Sequence, residues 1–431
     1  VRAAFRHAYE ESERAYGTPR TAGGLEARWA VFGLGKLGGR ALGYASDLEL
    51  LCVYGDAGET DKGMSNAEFF ERFFRTATGM IHSKREGIFE IDLRLRPHGS
   101  AGPVGVSLAA WTEYFEADGE AHAYERLALV RMRPVAGDED LGRQVIAMRD
   151  EILYQSRSIN LQELRDLRRR QLEEKTSSRA NAKFSAGALV DLEYNVQILQ
   201  TEHGAAHPAL RTPSIHEALE NLERIGELAA DEEDALTEAY GFLRNLINAL
   251  RMLRGNAKDL ELPKKGTREL STLARRMGYT NNQGLEPESR LMLDFESHTA
   301  RVRAIIEQRL GRDAIPGYSA GIADVLMRSD VSPELLQEVL GRAGFRDVHR
   351  AWHNLREIGS ADRGLFARVC LLAWDEIGHA ANPDMTINNW SRFAAAARER
   401  DQESTSPGTD GARDSGSPHV PTRQAHSQLE E

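Results

Sequence analysis

Cysteine is scarce in this chain, with 2 in 431 residues. Cys52 sits in an apolar strand-like stretch and Cys370 in a helical one, so they build neither a disulfide framework nor a thiolate metal site, and both read as core residues. Long hydrophobic runs are missing too: nothing approaches the roughly 20 apolar residues that a membrane-crossing helix needs. The opening VRAAFRHAYEESERAYG lacks the apolar centre of a secretory signal. These absences predict a cytoplasmic protein with no membrane partner. Positive charge is in deficit, since 55 Lys and Arg face 66 Asp and Glu for a net charge of −11. That argues against a general polyanion or nucleic-acid binder, while leaving room for a local basic pocket that holds one nucleotide. The chain starts with Val1 rather than Met, as an alternative start or a fragment would.

What is present is a globular composition, 41% hydrophobic and 28% charged, on a length sufficient for two or three domains. Residues 1–28 read as a charged helical segment ending in the loop GTPRTAGG. From 29 to 150 the pattern is mixed: WAVFGLG enters a glycine turn as a strand, LELLCVY is a second strand and GIFEIDLRLRP a third. Between the last two, NAEFFERFFRTATGMIHS has helical periodicity, with Phe69, Phe70, Phe73 and Phe74 on its core stripe. Strand signals vanish over 151–311, where long periodic segments predict a bundle of antiparallel helices. Shorter helices continue through 312–398. The polar, Ser- and Pro-rich segment 399–431 is expected to be disordered. The fold class expected is therefore α+β followed by an all-α bundle.

The stretch GLGKLGGRALGYASDLELLCVY carries the chemistry. Alternate residues of a strand share a face, so Asp47 and Glu49 point the same way at the start of the second strand. In the third strand Glu90, Asp92, Arg94 and Arg96 share a face, and if the two strands are neighbours Asp92 joins the other two acids. Three clustered carboxylates repel unless a cation sits among them. Two divalent ions about 3.5–4 Å apart are the usual solution where a phosphoryl or nucleotidyl group is displaced in line, and magnesium suits all-oxygen ligands. Gly33, Gly35, Gly38 and Gly39 let backbone N–H groups approach phosphate, while Lys36, Arg94 and Arg96 offer it positive charge. Ser46, just ahead of Asp47, completes the candidate nucleotide-binding set. A blander reading also stands, in which Asp47 and Glu49 are solvated strand-end acids with Arg94 and Arg96 as their ion-pair partners. The spacing of the glycines matches neither a Walker loop nor G-x-G-x-x-G. It is the combination of glycine turn, D-x-E and D-x-R-x-R that favours a metal-dependent nucleotidyl-transfer site.

Four motifs in order, GLGKLGGRALGYASDLELLCVY, FEIDLRLRPHGSAGPVGVSL, YERLALVRMRPVAGD and KFSAGALVDLEYNVQILQ, resemble the glutamine synthetase adenylyltransferase family over about residues 29–310. The resemblance implies a polymerase β-type nucleotidyltransferase fold followed by a helical bundle. It also implies transfer of AMP from ATP to a tyrosine of glutamine synthetase, or removal of that AMP by phosphorolysis, using Mg2+ with ATP or ADP. The partners implied are glutamine synthetase and a PII-like regulator. On this chain the family's metal-binding acids fall on Asp47, Glu49 and Asp92. Three departures accompany the likeness. Glu49 stands where the family usually has Asp. The bundle's glycine-rich stretch reads Lys183-Phe-Ser-Ala-Gly187-Ala188 instead of two adjacent glycines after a lysine. One transferase-plus-bundle unit is present where a full member carries two of opposed activity. RMRPVAGD is closer in wording to the AMP-removing unit. A catalytically impaired binding module for glutamine synthetase or a PII-like protein is the alternative that Glu49 and the single copy leave open.

Other residues are read more plainly. Glu193 is either a solvated helix acid or a partner that orients Arg94 or Arg96. His203, His207 and His216 lie in loop-like surroundings, a poor setting for a transition metal. The run Arg165 to Lys175 reads as the wet face of a helix.

Overall fold

The structure, a computed structural model, describes residues 1–81, 89–156, 159–176, 179–281, 286–311, 314–315, 320–326, 328, 331–358, 374 and 377–405. Cys370, the first residues of the expected third strand and residues 406–431 lie outside the described residues.

The α+β half begins with α1 (Arg2–Tyr16), β1 (Pro19–Thr21), β2 (Trp29–Gly33), the one-turn α2 (Gly35–Gly38), β3 (Leu48–Tyr54), β4 (Gly58–Thr60) and α3 (Asn66–Gly79). It continues with β5 (Ile91–Asp92), β6 (Gly105–Ser107), α4 (Leu108–Phe115), α5 (Ala123–Ala128), β7 (Arg133–Gly137) and α6 (Glu139–Asp150). The main sheet has the order β5-β3-β2-β7; β2 is antiparallel to both β3 and β7, and β5 and β6 run parallel to β3. Strands β1 and β4 form a separate antiparallel pair. Alternation along β3 divides its side chains between two cores. Leu50 and Cys52 pack with Phe5, Ala8, Phe69, Phe70, Phe73 and Phe74 under α1 and α3. Leu51 and Val53 pack with Ala30, Phe32, Trp111 and Phe115 under α4 to α6. A sheet buried on both faces needs apolar residues at successive positions, which is why LELLCVY turns continuously hydrophobic after Glu49.

Two boundaries differ from expectation. Residues 1–28 are no separate segment, because Phe5 and Ala8 of α1 are fully buried in the sheet's own core. Packing crosses the expected boundary at 150: Ile152, Leu153, Tyr154, Leu164 and Ile198 complete the core under α4 to α6.

The expected third strand is divided. β5 pairs with Leu48 and Glu49, and β6 pairs with Cys52 to Tyr54, so both occupy one edge of β3. Between them the chain loops out over 93–104. Pro97 has no N–H to give a ladder, and His98 lies in the left-handed region at φ 60°. Strand alternation therefore stops at Asp92.

The bundle comprises α7 (Leu161–Lys175), α8 (Leu189–His203), α9 (Ile215–Arg224), α10 (Ala230–Arg254), α11 (Arg268–Arg276) and α12 (Pro287–Leu310). α8 is buried almost all round, as a helix at the centre of an assembly must be. Its Leu189, Leu192, Val196 and Leu199 join the bundle core, while Tyr194 and Ile198 join the sheet core under α4 to α6. One helix thus welds the two halves together. Beyond it, α13 (Ile322–Leu326), α14 (Pro333–Leu336), α15 (Val348–Ile358) and α16 (Pro383–Thr405) surround a core of their own, tied back by Arg303–Asp324 at 2.6 Å and Arg328–Glu307 at 2.7 Å. Helix α16 runs past residue 399, the expected start of disorder. Among the described residues no helix is long and apolar enough to cross a membrane.

Candidate active site

The parallel pairing of β3 with β5 sets Glu49 directly opposite Asp92. Register partners in a sheet carry their side chains on one face, so the two carboxylates are neighbours. Burial holds the Glu49 carboxyl above the usual range, and the Asp92 charge adds to this, against the pull of Lys183, Arg131 and Lys36. Asp92 goes the other way: burial alone would raise it, but the Arg94 guanidinium and backbone N–H hold it low. Arg94 donates to Oδ1 at 3.0 Å through Nε and to Oδ2 at 2.6 Å through Nη2, while its N–H reaches Oδ1 at 2.9 Å. The third acid does structural work: Asp47 Oδ1 accepts from the Glu90 N–H at 3.0 Å, fastening β5 to the head of β3.

Among the described residues no three His, Cys, Asp or Glu side chains converge tightly enough to hold a metal unaided. What the strands bring together is a pair, with Asp47 alongside. A pair suits magnesium, which is commonly held by one or two carboxylates and completes its shell with water and substrate phosphate. The donor set fits that ion in its chemistry, being all oxygen, with one acid destabilised as an anion by its neighbour.

The glycines divide by role. Gly35 has φ +48°, and a Cβ there would run into the Glu49 carboxylate, so only glycine lets the turn pass beneath that acid. Gly38 and Gly39 instead permit close packing, the first against the carbonyls of Arg131 and Gly33 and the second beside the Pro213 carbonyl. The first-turn N–H groups of α2 at Gly35 and Lys36 have no partner within so short a helix. Lys36 is largely buried, and burial pulls its ammonium down to about 8, with Arg251, Lys183 and Arg244 adding to the effect and Glu193 opposing it. Ser46 is buried, accepting from Gly43 N at 3.0 Å and from Arg251 Nη1 at 3.4 Å.

Arg96 is not where the strand pattern puts it. Having left the ladder, it spends its guanidinium on the loop that follows, donating to the carbonyls of Leu93 at 2.7 Å, Gly102 at 3.1 Å and Ser100 at 3.4 Å. Glu193 pairs with neither Arg94 nor Arg96. It forms an ion pair with Arg131 at 3.0 Å, and although burial alone would depress Arg131, Glu193 more than offsets it.

Several site residues escaped the sequence reading. Arg131 lies in the quoted YERLALVRMRP motif without having been selected. From α10 come Arg244, Asn248 and Arg251, at i, i+4 and i+7 on one face. Arg244 Nη2 donates to Ala41 O at 2.7 Å, Arg251 Nη1 to Tyr44 O at 3.1 Å, and Asn248 leaves no room for a Cβ at Gly43. The signal available was a polar stripe on the otherwise apolar GFLRNLINALRMLR. Of the other candidates, His203 pairs with Glu227 at 3.5 Å and the His216 ring packs on Tyr240. Arg168, in the expected wet run, is buried against Asp191 at 2.6 Å.

Residues 1–148 match the family model for glutamate-ammonia ligase adenylyltransferase, and residues 158–310 match that for GlnD PII-uridylyltransferase. Among curated proteins the chain is similar to the bifunctional glutamine synthetase adenylyltransferase/adenylyl-removing enzymes of several bacteria. With that of Thioalkalivibrio sulfidiphilus it shares 32% identity over 368 residues, 82% of this chain and 37% of the relative. With that of Stenotrophomonas maltophilia R551-3 it shares 32% over 349 residues, 78% and 35% respectively, and with that of Mycobacterium avium 31% over 298 residues, 67% and 29%. The chain thus spans about a third of the length of such relatives. The matched sequence, the α+β domain that carries the acid pair and the helical bundle behind it agree, and the chain belongs to the glutamate-ammonia ligase adenylyltransferase family.

Proposed function

We propose that this chain is a magnesium-dependent nucleotidyltransferase acting on the AMP-tyrosine linkage of glutamine synthetase in the cytoplasm. It adds AMP from ATP, or removes it by phosphorolysis to give ADP, and the RMRPVAGD wording favours removal. The relatives' names, which couple adenylyl transfer and adenylyl removal to glutamine synthetase, support the substrate. The observation that carries the reading is Glu49 opposite Asp92 above the Gly35 turn, with Lys36, Lys183 and Arg131 near enough to act on Glu49.

Glu49 and Asp92, with Asp47 beside them, would hold Mg2+, which when bound neutralises phosphate oxygens and supports the charge that develops on the attacking and leaving oxygens. Gly35 keeps the turn clear of Glu49, and the N–H groups of α2 lie open to phosphate. Lys36 and Lys183 add positive charge there. Arg94 is exposed and swings from Asp92 to a phosphate oxygen when the nucleotide enters. In removal, an oxygen of inorganic phosphate bonds to the AMP phosphorus as the bond to the tyrosine oxygen breaks, and the tyrosine leaves with the proton that the attacking phosphate gives up. Among the described residues no enzyme nucleophile beside a base accompanies the acids, and direct displacement is the route this reading takes.

A second reading, a binding module for glutamine synthetase or a PII-like protein with impaired catalysis, is favoured by one observation: Arg94 engages both oxygens of Asp92. The test is to incubate the chain with glutamine synthetase, unmodified with labelled ATP and pre-adenylylated with phosphate, each with and without Mg2+. The AMP content is expected to move in the second arm, or in both, only with magnesium. Static AMP in both arms would overturn the enzymatic reading, and partner binding indifferent to nucleotide would then select the module.

A further inference from the structure

A cavity of about 230 Å³ opens between α7, α8 and the end of α12. Much of its lining is apolar, from Leu161, Leu164, Ile198 and Leu310, yet three guanidinium side chains, Arg165, Arg168 and Arg309, share the wall. Arg168 is only 3% exposed. Its Nε and Nη2 are taken by the two oxygens of Asp191, with the carbonyls of Phe184 and Ser185 sharing Nη2. Its Nη1 is buried with no partner among the described residues. Arg309 pairs with Glu232 through Nη2, and its Nε is likewise buried and unpartnered. Arg165 is half-buried and makes no ion pair among the described residues.

A buried donor left without a partner bears the full desolvation penalty of its N–H, and two such donors on side chains that line one hollow call for an explanation. Of the two acids lining it, Asp191 is fully committed, because Oδ2 also accepts from Gly187 N at 2.7 Å. Burial pushes the carboxyl of the other, Glu202, up. Apolar walls with a few convergent polar groups are the usual anatomy of a small-molecule site. An apolar cavity of about 150 Å³ takes a molecule the size of benzene, so this one has room for a slightly larger ligand. The cavity lies apart from the acid pair: Asp191, Tyr194 and Ile198 of α8 line it, whereas Glu193 of the same helix pairs with Arg131.

We propose that this cavity binds a small organic anion, its carboxylate or phosphate headgroup among Arg165, Arg168 and Arg309 and its apolar body against Leu164, Ile198 and Leu310. The site is independent of the nucleotide chemistry proposed above. The probes are hexanoate, hexyl phosphate and hexylamine, titrated into the full chain by calorimetry and by saturation-transfer NMR. At least one of the two anions saturates a single site, the tighter of them identifying the headgroup, and hexylamine binds at least tenfold more weakly. Arg165→Met weakens the anion about tenfold, and Ala314→Phe, which fills the hollow without touching a charge, abolishes its binding. Absence of saturable anion binding, hexylamine binding as tight as either anion, or anion binding that both substitutions leave unchanged would overturn the proposal.

Discussion

Glu49 is held in an unfavourable state by its surroundings. Its carboxyl lies above the usual range through burial and the charge of Asp92, so its contribution to stability is fully present below the ordinary glutamate value and is lost as pH rises through the folded one. Glu49→Gln removes that charge without changing shape. The expected outcome is a metal-free protein that melts a few degrees higher but has lost magnesium-dependent nucleotide binding, as calorimetry would show. Lys36 makes the opposite kind of statement. Its folded value of about 8 lies below the ordinary lysine value of 10.5. Its contribution to stability is therefore fully present above the ordinary value and lost as pH falls through about 8. Phosphate favours the protonated form, so nucleotide binding takes up a proton above about pH 8. The affinity for magnesium-ATP is expected to fall several-fold between about pH 7.5 and 9.5, and Lys36→Met should flatten that slope. At Gly35 a Cβ meets both positive φ and the Glu49 carboxylate. Gly35→Ala should cost about 1–3 kcal/mol in a denaturant melt and displace the acid it adjoins; wild-type stability and nucleotide affinity in that variant would contradict the turn's assigned role.

Strands and helices decide which residues meet. β3 was legible because DLELLCVY leaves its two acids, Asp47 and Glu49, at the start of an otherwise apolar run, and the aromatic stripe of α3 was legible from its spacing. β5 was legible only as far as Asp92. The sequence DLRLRP alternates as a strand does, but Pro97 and the loop to Gly102 draw Arg96 out of the ladder, and pairing preferences alone carry no sign of that. The contribution of α10 was hidden for another reason: Arg244, Asn248 and Arg251 lie some two hundred residues beyond the loop 41–46 that they hold, a separation no local pattern spans. The Arg131–Glu193 pair joins α8 to the segment ahead of β7 in the same non-local way. Arg131 is buried, so Glu193→Gln strands its charge and should lower stability by about 3 kcal/mol; Arg131→Met combined with Glu193→Gln should recover much of it. A double variant as unstable as the single one would show that the pair is not what holds this junction.

At the level of the whole molecule, the transferase and bundle share α8 and are parts of one body, which is why divisions drawn at residues 28 and 150 from composition alone cut through packed cores. The glycine turn belongs to the first half and the residues that brace its loop to the second, so a chain shortened before α10 should bind nucleotide poorly even if its sheet forms. The relatives extend well beyond the length spanned here, and the acid pair in this unit is the feature on which the proposed chemistry turns. The direct test is calorimetric titration of ATP and ADP into the wild-type chain, Glu49→Gln and Asp92→Asn, with and without Mg2+. Nucleotide binding that requires magnesium in the wild type and weakens at least tenfold in each variant is the predicted result. Binding that is indifferent to magnesium, or unchanged when either acid is neutralised, would contradict the account.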